Sequence, residues 1–198
     1  MDLTVDALGD KCPVPVVKAK KALSTIDEGT LTMLVDNETS VKNLESFAKS
    51  QKCEVASEQL EEEKYEVKIV KTEDSVADSG AAGTAGTGPS VIVVPSEVMG
   101  HGDDELGNVL IKAFVFAVTQ QEQLPDTMLF YNGGVKLTCE DSPVLDDLKK
   151  LADAGVEILS CGTCLKHYDL EPKLAVGEVT NMYVIVEKQM QAGIIVRP

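Results

Sequence analysis

Asp78-Ser79-Gly80-Ala81-Ala82-Gly83-Thr84-Ala85-Gly86-Thr87-Gly88-Pro89 sets four glycines among small residues and closes on a proline. Such a run buries little surface and reads as a flexible linker. With its acidic flank it spans residues 73–89. It parts the 198 residues into a first module, 1–72, and a second, 90–198. Apolar residues make up 43 % of the chain, enough for packed cores. Aromatics are only 4 % and Trp is absent, so those cores must be built from Val, Leu, Ile and Ala.

N-terminal to the linker, element types alternate. Leu3-Val5-Ala7 has period two and predicts a strand. Pro13 to Ile26 carries apolar residues at 16, 19, 23 and 26, a helical stripe, and Gly29 is expected to stop it. Leu31 to Val35 predicts a strand and Thr39 to Ser50 a helix with Val41, Leu44, Phe47 and Ala48 on one face. Cys53 to Leu60 and Tyr65 to Val70 predict a hairpin across Glu61-Glu62-Glu63. The order β-α-β-α-β-β implies a two-layer α/β sandwich.

C-terminal to the linker, Val91-Ile92-Val93-Val94 is a continuous apolar run, as in buried parallel strands. A helix is expected from about Asp104 to Gln121, a strand at Met128 to Tyr131, a helix at Val144 to Ala154 and a strand at Val156 to Leu159. A short helix and a turn follow, then a helix near Asn181 to Gln189 and a last strand at Gly193 to Val196. Repeated β-α units predict a doubly wound, mostly parallel sheet, with its site at the carboxyl ends of the strands.

The net charge is −15, spread as −4 over 1–72, −3 over 73–89 and −8 over 90–198. A field of that sign repels phosphate backbones and anionic surfaces, so DNA and membranes are not expected partners. No apolar run reaches spanning length and the first residues show no secretory pattern. The five cysteines, at 12, 53, 139, 161 and 164, make an odd, scattered set unlike a disulfide framework. The reading places the chain in the reducing cytoplasm, where thiols are catalytic, metal-binding or merely buried.

Two thiol positions stand out. Cys12 falls between a strand and the first helix, and Pro13 suits a first helical position because its missing N–H needs no partner. The positive end of the helix dipole and Lys11 are expected to lower the thiol pKa. Pro15 stiffens the turn but removes another donor. Cys161 ends the third strand of the second module, and Cys164 is expected in the following turn. One C-x-x-C is half of a zinc site, and Cys139, His101 and His167 supply no metal-like spacing, so no metal is expected. The glycines of 96–107 fit neither dinucleotide nor P-loop spacing, so no cofactor is expected. His101 in that loop is a surface histidine by default and a proton shuttle or cation for a thiolate otherwise. Asn132-Gly133-Gly134 lets backbones approach closely at the same edge, and Asn181 reads as a helix cap.

Asp6-Ala7-Leu8-Gly9-Asp10-Lys11-Cys12-Pro13-Val14-Pro15 resembles the D-x-x-G-x-x-C-P-x-P signature of the TusA/SirA-like sulfur carriers, and Gly29 and Leu34-Val35-Asp36-Asn37 extend the likeness over about residues 1–71. The resemblance implies a persulfide on Cys12, with Asp6, Gly9, Pro13 and Pro15 in support. The second module resembles the DsrE-like family, whose doubly wound fold carries a relay thiol at the position of Cys161. Cys164 is extra to that pattern. The whole chain is similar to the YedF group, which joins the two modules and is assigned to selenium metabolism or sulfur transfer. Met99-Gly100-His101-Gly102-Asp103, Ile158 to Leu165 and Leu174 to Met182 carry that likeness.

These resemblances imply a sulfurtransferase-like carrier of sulfur or selenium. Its partners would be sulfur-donor and sulfur-acceptor proteins, a cysteine desulfurase among the donors. The DsrE-like likeness also implies self-association into a homo-oligomer. Two other readings stay open here: a thiol-disulfide oxidoreductase through Cys161 and Cys164, and a non-catalytic adaptor.

Overall fold

The computed structural model describes residues 2–11, 13–72, 75 and 88–198. Cys12 and nearly all of the expected linker lie outside the described residues. The chain divides into two compact units, Met1–Ala82 and Gly83–Pro198.

The first unit runs β1 (Leu3–Asp6), α1 (Val14–Ser24), β2 (Gly29–Val35), α2 (Glu38–Ser50), β3 (Glu54–Glu61) and β4 (Lys64–Lys71). Its four strands are ordered β1-β2-β4-β3. β1 and β2 are parallel, and the other two pairings are antiparallel. Period two decides the faces: Leu31, Met33 and Val35 of β2 point inward and are fully buried with Val67 and Ile69 of β4. The helices cover that face with Ala19, Ala22 and Leu23 from α1 and Val41, Leu44 and Ala48 from α2. Asn37 caps α2 by accepting from the Ser40 N–H at 2.8 Å. Gly29 does not stop α1. The helix ends at Ser24, and Gly29 opens β2 opposite Lys71. The Lys71 ammonium closes the helix end instead, donating to the carbonyls of Leu23 and Ile26 at 2.9 and 2.6 Å.

The second unit runs β5 (Ser90–Val94), α3 (Asp104–Thr119), β6 (Thr127–Phe130), a 3-10 helix (Asn132–Thr138), α4 (Leu145–Asp153), β7 (Glu157–Cys161), α5 (Gly162–His167), a 3-10 turn (Glu171–Lys173), β8 (Glu178–Thr180), α6 (Met182–Gln191) and β9 (Ile194–Val196). The sheet order is β8-β7-β6-β5-β9, with every pairing parallel. β5, β6 and β7 are central and almost wholly buried, which is why they read as unbroken apolar runs. The chain is thus a mixed α/β protein: a two-layer sandwich and a doubly wound parallel sheet. β8 has only three residues, too few for its sequence to carry a strand signal. Glycine makes room for it: at Gly177, φ is +77° and a Cβ would lie 2.3 Å from the Ile158 carbonyl oxygen.

Polar groups tie down the amino ends of the central strands. Asp126 accepts from the Ser90 N–H at 2.7 Å and its hydroxyl at 2.9 Å, which holds the carboxyl below its ordinary pKa. Burial pushes Glu157 up, but hydrogen bonds from Lys188 and Thr127 outweigh it and leave the group lowered. A carboxyl with a lowered folded-state pKa stabilises fully above its unfolded value and loses that effect as pH falls through the folded one. The second unit is therefore expected to weaken on acidification below about pH 4. Acid titration followed by circular dichroism, with Asp126→Asn flattening the response, checks this.

Candidate functional site

The first candidate site is the turn between β1 and α1. Parallel pairing runs Asp6 against Leu34, and the Ala7 N–H continues it to the Leu34 carbonyl at 2.9 Å. The chain then turns sharply. Asp6 accepts the Leu8 N–H on its carboxylate at 2.9 Å, a side-chain mimic of a backbone turn. Gly9 follows in the left-handed region at φ +78°. Its N–H donates to Asp36 at 2.8 Å, just past the end of β2. Asp36 is in turn held by the Asn37 amide at 2.6 Å, and these two donors, Asn37 first, lower its pKa. Lys18 reaches back from α1 to the Asp6 carbonyl at 3.1 Å and to Asp10 at 2.5 Å. The loop preceding the helix is therefore anchored at both its start and its middle.

Pro13 is not the first helical residue. It sits at the cap position, its carbonyl accepting the Val17 N–H at 3.1 Å, and α1 begins at Val14. Pro15 occupies the second helical position and is buried, so neither proline deprives the helix of an internal bond. Asp6, Gly9, Pro13 and Pro15 thus follow one another along the strand-to-helix connection, on either side of position 12 in sequence. Asp36 belongs to the same arrangement, and its own signal was its place directly after an apolar strand, in the segment matched with the sulfur carriers. A Gly9→Ala chain is expected to lose about 1 kcal/mol, because an L side chain is strained at φ +78°. A thermal melt measures it.

The second candidate site lies where the carboxyl ends of β6 and β7 meet. Cys161 ends β7 and caps α5, and it is only 2 % exposed. Cys164 is not in a turn: it is the third residue of α5 and is half-buried. The two thiols are thus the cap and the third residue of the same helix start. Cys161 makes no side-chain cap bond of its own. Asn132, at φ +50°, donates its backbone N–H to the Cys164 Sγ at 3.1 Å. The Tyr168 hydroxyl donates to the Asn132 side-chain oxygen at 3.1 Å, fixing that residue. Lys136 lies over the Tyr168 ring at 5.1 Å and pairs with Glu97 at 2.5 Å.

Burial pushes the Cys164 thiol up, the Cys161 thiol adds to this, and the Asn132 N–H opposes both. Less thiolate is then present at neutral pH than for a free cysteine. Cys164 is expected to alkylate more slowly than free cysteine at pH 7 and to gain rate as pH rises. Tyr168→Phe, which frees Asn132, shifts that profile further upward. Iodoacetamide labelling read by peptide mass spectrometry tests both. Asn132 was expected only to shape this edge together with Gly133 and Gly134, and Tyr168 was not among the expected site residues. Their contact with the thiol pair is not marked in the sequence, because it depends on strand pairing.

The remaining positions separate from these sites. His101 lies on the exposed bend of residues 96–102, and no hydrogen bond joins it to either thiol among the described residues. Asp103, not a ligand group, caps α3 by accepting the Leu106 N–H at 2.8 Å. Asn181 caps α6 through the Val184 N–H at 3.1 Å. Cys53 is a core residue of the first unit. Cys139 donates to the Val135 carbonyl at 3.2 Å, borders a cavity of about 370 Å³ with Glu97, Lys136 and Tyr168, and is pushed up mainly by burial. Among the described residues no three His, Cys, Asp or Glu side chains gather as a metal would need, and no helix is long and apolar enough to cross a membrane.

Comparison with known proteins places a family on the first unit. Residues 3–71 match the model of sulfurtransferase TusA. A candidate sulfur carrier protein of Methanocaldococcus jannaschii is 35 % identical over 68 residues, covering 34 % of this chain and 91 % of that protein. The sulfur carrier protein TusA of Allochromatium vinosum is 33 % identical over 72 residues, covering 36 % of this chain and 95 % of that one. A crystal structure of a SirA-like protein from Desulfitobacterium hafniense is 40 % identical, with a TM-score of 0.35, over 36 % of this chain and 99 % of its own. A protein of unknown function from Methanobacterium thermoautotrophicum is 22 % identical, with a TM-score of 0.43, over 55 % of this chain and 97 % of its own. Through residues 3–71, the chain belongs to the TusA family of sulfur carriers.

Proposed function

We propose that the chain is a persulfide-type sulfur carrier in which Cys12 takes up sulfane sulfur and the Cys161–Cys164 pair handles it in a DsrE-like second unit, the arrangement of the YedF group. The observation that carries the reading is the loop of the first unit. Asp6, Gly9 and Asp36 hold the strand-to-helix turn that leads in sequence into the C-P-x-P signature, in a unit whose relatives are sulfur carriers. A stiff turn ahead of a helix suits a thiolate nucleophile, which the helix dipole favours. Residues 73–89 serve as the linker between modules 1–72 and 90–198. A reducing compartment such as the cytoplasm keeps the thiols free. Donor and acceptor proteins are the partners, and selenium, with the same chemistry, is a second cargo.

The test supplies a cysteine desulfurase and cysteine, then reads intact mass and maps the persulfide to peptides. Wild type is expected to gain one sulfur atom at Cys12, and Cys12→Ser is expected to gain none in the first unit. Equal loading of wild type and Cys12→Ser would overturn the reading.

A further inference from the structure

The second unit carries two unlike thiols at one point. Cys164 is the outer one, half-buried and held by a backbone N–H, while Cys161 lies behind it at 2 % exposure. Donor access therefore favours Cys164. Cys161 cannot meet a protein partner without opening the strand end, yet it shares one helix start with Cys164, as its cap and its third residue. We infer that the pair does more than carry: Cys164 accepts a sulfane sulfur as a persulfide, and Cys161 then attacks the Cys164 Sγ and releases the terminal sulfur as hydrosulfide. The inference rests on the proposed sulfur-handling role of this unit and assigns it a reductive step.

The step balances within the protein. A bond forms between the Sγ atoms of Cys161 and Cys164, and the bond from the Cys164 Sγ to the terminal sulfur breaks. The terminal sulfur leaves with the bonding electron pair and takes the Cys161 proton, giving HS⁻ from the deprotonated persulfide. It is reduced by two electrons, and each cysteine sulfur is oxidised by one. A dithiol reductant returns the disulfide to two thiols for another round. The Asn132 N–H keeps the Cys164 Sγ fixed while Cys161 approaches, and Tyr168 keeps Asn132 fixed, so both are positioning residues. Selenium bound in the same way would leave as hydroselenide.

The experiment uses the full chain carrying Cys12→Ser, loaded with inorganic polysulfide and desalted. Released sulfide, intact mass and peptide-mapped disulfide are then followed without reductant. The expected result is sulfide appearing in step with a Cys161–Cys164 disulfide. With Cys161→Ser added, the persulfide stays on Cys164 and sulfide release falls at least about tenfold, since the intramolecular attack is lost. A melt equal to that of the parent shows that this variant is folded. A persulfide that persists on Cys164 with Cys161 present would overturn the inference and leave the carrier reading intact. Persulfide found on Cys161 instead would overturn the assigned order. No loading of either thiol would overturn the sulfur-handling role of the unit itself.

Discussion

The second unit of a Gly134→Ala chain is expected to melt about 10 °C or more below wild type. A Cβ at this position would stand 2.1 Å from the Val94 carbonyl oxygen and 2.9 Å from its carbon. Neither is a movable side-chain end. Val94 is the last residue of β5, and its carbonyl also accepts the Tyr131 N–H at 3.2 Å. Relief therefore requires the carboxyl end of β5 and the 3-10 helix after β6 to part by more than an ångström. Forced overpacking of this kind costs about 3 kcal/mol. In a unit of this size each kcal/mol moves the melting temperature by about 4 °C. Gly133→Ala is the control, because its Cβ would meet nothing nearer than the Glu97 nitrogen at 3.6 Å, an ordinary contact. Calorimetry separates the two. The same displacement would carry Asn132 away from Cys164, so sulfide release should slow even where the protein still folds. Equal melting of the two variants would show that β5 yields freely at this point.

Leu44→Ala is expected to bring the first unit close to its unfolding threshold. Leu44 is fully buried, in α2, where the helix packs over the sheet. Truncating a buried leucine costs about 2–5 kcal/mol, through lost burial and the cavity left behind. A unit of roughly 70 residues has a total stability of only about 4–10 kcal/mol. The loss is therefore about half of what holds this unit together. Because the Gly9 N–H is held from Asp36, between β2 and α2, loosening α2 also loosens the turn after β1. Chemical denaturation should show a lowered midpoint, and sulfur loading from the desulfurase should fall with it. Undiminished stability would mean that the core repacks around the missing side chain.

Period two in β2, helical spacing in α1 and α2, and unbroken apolar runs in β5 and β6 were legible because each depends on neighbours a few residues away. So was the succession of strand, turn and helix start on either side of position 12, since these elements are consecutive in the chain. The same local reasoning misplaced details that long-range contacts decide. Gly29 looks like a helix stop, but β-pairing with Lys71 gives it to a strand, and Lys71 closes the helix. Cys164 looks like a turn residue, yet α5 forms straight from Cys161 and takes it in. His101 had the right chemistry for a thiolate partner, but its bend leaves it in solvent.

What the sequence determined by itself is the division into an acidic pair of α/β modules, the succession of their main elements, and the Cys-Pro-Val-Pro signature of a sulfur carrier. Only the tertiary structure decided that Cys161 is the inner thiol and Cys164 the outer one. It alone brought Asn132 and Tyr168, both 32 or more positions from a partner they touch, onto that pair. The reason is physical. Turns and helix starts are set by neighbouring dihedrals and side chains, whereas burial and hydrogen-bond partners at a strand end are set by parallel pairing, which joins segments far apart in the chain.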